Sequence, residues 1–98
     1  MFNFRDTPGD PRLDRLKIYA QSAAQFRGVV RAAGADILLS NHTAYDGSTV
    51  KLKALANRAA GAPNPYIIGK DSVQRFLTAA EQCAIAARIS EGSGSAAL

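Results

Sequence analysis

The sequence predicts an α/β fold, and three observations carry that expectation. Apolar residues recur at helical spacing in two long stretches, one ending near residue 33 and one running from about 73 to 87. Between them the short apolar run Ile37-Leu38-Leu39 follows the first helix after a two-residue turn, the brief link expected where helices and strands alternate. Pro63 and Pro65 then force a second extended piece before the last helix, because each proline pushes its predecessor out of the helical region.

Taken in order, Phe2 and Phe4 stand at alternate positions and break at Thr7-Pro8-Gly9, like the tail of a strand. Asp10-Pro11 opens the first helix: aspartate accepts free amides of the first turn, and proline at the first helical position loses no bond. The helix is expected to bury Leu16, Tyr19, Ala23, Phe26, Val30 and Ala33 and to stop at Gly34. Asp36 to Ser40 is the one clear strand. Gly47-Ser48 opens a second helix, with Val50, Leu52, Leu55, Ala56 and Ala59 as its buried positions up to Gly61. Tyr66-Ile67-Ile68 is extended, and a third helix begins near Asp71, where Gln74 three places on completes a capping-box layout. Its stripe of Val73, Phe76, Leu77, Ala80, Cys83, Ala84 and Ala87 makes Cys83 a small core residue. Residues 1–90 form one α/β domain, and residues 91–98, with Gly-Ser-Gly-Ser, form a disordered tail.

Composition narrows the function. A hydrophobic fraction of 47% fits a folded chain, and no apolar run approaches the roughly 20 residues of a membrane span. Met1 precedes neither a basic start nor an apolar core of a signal peptide. A true start at Met1 implies a cytoplasmic protein, and descent from an exported parent implies the periplasm. The net charge of +4 raises nucleic acid as a partner, but the arginines and lysines are spread thinly, with no block of five. A single cysteine allows no internal disulfide.

The candidate site is the loop after the strand. It holds His42, the one histidine of the chain, among Ser40, Asn41, Thr43, Tyr45 and Asp46. A side chain at the C-terminal end of a buried strand faces the crevice where α/β proteins place ligands and metals. For Tyr45 the expectation is packing over the loop, and for Asp46 a tight turn with Gly47.

Two segments carry a resemblance: Ala-Asp-Ile-Leu-Leu-Ser-Asn-His-Thr-Ala-Tyr-Asp-Gly, residues 35–47, and Pro-Asn-Pro-Tyr-Ile-Ile-Gly-Lys-Asp-Ser-Val-Gln-Arg-Phe-Leu, residues 63–77. Together they resemble the C-terminal part of the metallo-β-lactamase superfamily, closest to the third subclass of zinc β-lactamases and related hydrolases. That resemblance implies the C-terminal segment of an αββα sandwich, about three helices with one clear strand. It implies zinc as cofactor, with His42 a ligand of the second zinc ion. Full-length relatives hydrolyse amide or ester bonds, β-lactams among them. This chain has neither their upstream His-x-His-x-Asp-His motif nor any second histidine, so the resemblance implies a portion that is silent by itself and wants a missing N-terminal half.

Two rival expectations stand beside it. One is an α/β interaction module that pairs its exposed strand edge with a second copy or a partner sheet. The other, less favoured, is nucleic-acid binding by Arg12, Arg15, Arg27 and Arg31 of the first helix.

Overall fold

The computed structural model describes residues 5–97, so the alternating Phe2 and Phe4 lie outside the described residues. Among the described residues there are four helices: α1 (Arg12–Ala33), α2 (Thr43–Asp46), α3 (Ser48–Ala56) and α4 (Lys70–Ala97). The α/β expectation, an αββα-sandwich segment with one clear strand, is corrected. Where the strand was expected, one antiparallel bridge joins Ile37 to Ile67, and the amides of Ile68 and Gly69 donate to the Asp36 carbonyl at 2.9 and 3.1 Å. Leu39 is 71% exposed, so the run is not a buried strand. The reason is local. Pro63 and Pro65 have no amide to donate, and the chain turns at Asn64, whose carbonyl accepts from Ile67 and whose side chain accepts from Tyr66. One residue pair is all that reaches register.

The molecule is organised instead by α1 and α4, which lie antiparallel. Arg12 at the start of α1 grips Glu91 near the end of α4 through two parallel bonds of 2.8 and 2.9 Å. Midway, Arg27 reaches Thr78 and Glu81, and the Gln74 amide donates to the Arg27 carbonyl at 3.3 Å. At the far end the Lys70 side chain lies over Gly34. The seam between them follows a 4-3 alternation on each helix. On α1 it holds Leu16, Ala20 and Val30, with Leu13, Ala23 and Arg27 half-buried; on α4 it holds Val73, Leu77 and Ala84, with Ala80 and Ala87 half-buried. Phe26, placed on the apolar face by its spacing, is 57% exposed, while Ala20, left off that face, is buried; Ala84 is buried, as its place in the α4 stripe predicts.

The ends of α1 are legible in the chemistry. Asp6 rather than Asp10 supplies the cap, its carboxylate accepting the Arg12 amide at 2.7 Å. Asp10 is drawn off by Arg15. Gly34 ends the helix at φ +68, in the left-handed region that suits glycine, while the Ala35 amide reaches back to the Val30 carbonyl. Gln74 does not reach back toward Asp71; it crosses to α1, and its Oε1 is buried without a partner. Of the segment expected as a tail, Glu91 is held by Arg12.

The arrangement is extended. Its radius of gyration is 17.3 Å, against about 13 Å for a compact chain of this length, and its extents are 60 × 28 × 22 Å. The two long helices are the long axis of the molecule, and the His42 loop with α3 hangs beside them.

Candidate functional site

The loop that carries His42 is built around a carboxylate. Asp46 is 4% exposed, and its two oxygens accept the Ser40 amide at 2.9 Å and the Ser48 amide at 2.8 Å. The hydroxyl of Tyr66 donates to Ser48 Oγ at 3.0 Å, so the chain after the prolines is tied to the same knot. The Lys51 ammonium stands 5.6 Å from the centroid of the Tyr66 ring. Hydrogen bonds from Ser48 and Ser40, aided by the Lys51 charge, hold the Asp46 carboxyl below its ordinary range, against the opposing effect of burial. Asp46 is therefore more than the expected turn-former: it closes the loop from Ser40 to Ser48. Gly47, at φ +69, lets α2 end and α3 begin without a spacer.

His42 itself precedes α2. Its carbonyl accepts the Tyr45 amide at 3.0 Å, and its own amide donates to Ser40 Oγ at 3.1 Å. Its imidazole is exposed and meets the Tyr45 ring edge-on, centroids 5.6 Å apart. No group of three or more His, Cys, Asp or Glu able to hold a metal occurs among the described residues. A zinc site at His42 would need at least two more ligands.

Tyr45 in turn leads into a small apolar cleft of about 180 Å³ between the loop and the helical pair, lined by Tyr19, Phe76, Ala79, Ala80 and Cys83. Cys83, expected in the core, is exposed on this cleft. Spacing alone misses this, because Cys83 and Ala84 are adjacent on α4 and only one of them faces α1. The cleft is below the roughly 300 Å³ of ordinary small-molecule sites, but accepts one bulky side chain.

Of the four arginines singled out on α1, Arg12 pairs with Glu91, Arg15 with Asp10 and Arg27 with Glu81, while Arg31 is exposed. No helix of the described residues is long and apolar enough to cross a membrane. No family model, curated protein or solved structure matches the chain.

Proposed function

We propose that this chain is a helical interaction module whose own core is partial and is completed against another polypeptide surface. The observation that carries this reading is the apolar surface left uncovered on the two long helices: Ile18, Phe26 and Val29 on α1, and Ile85 and Ile89 on α4. Scattered exposed apolar side chains are ordinary, but here they lie in rows on the same helices that build the core. The strand-edge pairing expected from sequence is replaced by helix faces as the contact surface. The cleft beside Tyr45 and Cys83 adds a socket for a partner side chain.

The test is fluorescence of an apolar-surface dye against protein concentration. Dilution to the free chain should expose dye-binding surface, and association should cover it. A dilute chain that binds no dye and unfolds at a temperature independent of concentration would end this reading.

A further inference from the structure

We infer that the outward face of α1 is a two-fold contact with a second copy of this chain, an inference that rests on the association reading and specifies its partner. The seam toward α4 uses Leu16, Ala20, Ala23, Arg27 and Val30. Directly across the helix stand Ile18, Ser22, Gln25 and Val29, again spaced four, three and four, with Gln21 and Phe26 beside them. All six are exposed, and Ile18, Phe26 and Val29 are 59%, 57% and 60% exposed. A helix with usable seams on two opposite sides is one made to lie between two neighbours.

The second neighbour is identified by charge and by pattern. From Ile18 to Phe26 the helix carries no charged residue, although a fifth of the chain is charged. Two chains of net charge +4 therefore meet on this face without setting like charge against like. The pattern is also its own complement. Ile18 and Val29, and Ser22 and Gln25, are two pairs centred on the same point, between Ala23 and Ala24. A two-fold axis there, with the α1 helices antiparallel, sets Ile18 against Val29 of the other copy and Ser22 against Gln25, a hydroxyl facing an amide. The contact spans about 16 Å of helix.

The experiment is sedimentation velocity of the full chain over a concentration series, with three variants. The wild type should dimerise. Ile18→Lys alone and Val29→Glu alone should each weaken dimerisation at least about tenfold, with helical circular dichroism unchanged because both positions face solvent. Combining Ile18→Lys with Val29→Glu sets opposite charges against each other across the axis and should restore the dimer, which no parallel pairing would do. A dimer indifferent to both single changes overturns this placement. A wild type that stays monomeric overturns the second copy as partner; if that monomer still binds apolar dye, the association reading survives with a different chain as its partner.

Discussion

Leu16→Ala probes the foundation of the fold. Leu16 is fully buried, the largest such side chain among the described residues, in a core whose other buried apolar members are Ala20, Val30, Val73, Leu77 and Ala84. Truncating a buried leucine costs about 2–5 kcal/mol, as lost transfer energy plus the cavity left behind. A chain of this length holds about 5 kcal/mol at the lower end of the usual range, and so small a core belongs at that end. The substitution therefore removes about half of the stability or more. With a urea slope near 1 kcal/mol per molar, the midpoint should fall by about 2 M or further. The assay is urea unfolding followed by far-UV circular dichroism, at one fixed protein concentration so that any self-association is held constant. Val50→Ala, at a position 73% exposed, is the control and should stay within about 0.5 kcal/mol of wild type. If Leu16→Ala also stays within about 0.5 kcal/mol, the α1–α4 seam is not what holds this chain together.

Three further outcomes are expected. Asp46 and Glu91 both titrate below their ordinary values of 3.8 and 4.5, so their contribution is present above those values and is lost as pH falls through the depressed folded ones. Protection of the Ser40 and Ser48 amides against exchange, relative to the unfolded chain at the same pH, should fall on acidification, and Asp46→Asn should show that loss already at neutral pH; unchanged protection in the variant contradicts the carboxylate's role. Cys83 should react with a maleimide in the folded chain nearly as fast as in denaturant, whereas a core thiol would be protected by orders of magnitude. With zinc added, the purified chain should hydrolyse β-lactams no faster than zinc alone, because one imidazole does not hold a catalytic zinc; turnover above that blank would revive His42 as part of a metal centre.

The helices were the legible part. Spacing placed the long α1 and α4, and Gly34 marked where α1 stops. Which residues of each helix are buried was less legible, because three-and-four spacing admits neighbours on either side of the true seam: Phe26 and Cys83 face outward, and Ala20, left off the expected stripe, faces in. The strand was misread for a different reason. Ile37-Leu38-Leu39 is apolar enough for a sheet, but a strand exists only where a partner runs beside it, and the two prolines bend the available partner away after one pair. In the loop, His42 drew notice as the chain's lone imidazole, yet the side chain that builds the loop is Asp46. Its partners Ser40 and Ser48 lie six and two residues away, and Ser-x(5)-Asp-x-Ser is too common a pattern to announce a knot.

The alanines of the seam have one more consequence. Methyl groups offer little bulk or shape to resist a slip of one turn, about 5.4 Å, and leave that resistance within the apolar seam to Leu16, Val30, Val73 and Leu77. What further opposes such a slip is the pair of bridges, Arg12 to Glu91 and Arg27 to Glu81, both of which a shift of one turn would break. Their task is to choose among near-equal alignments rather than to strengthen the chosen one, and removing both arginines should leave the helices formed but split their amide resonances between alternatives.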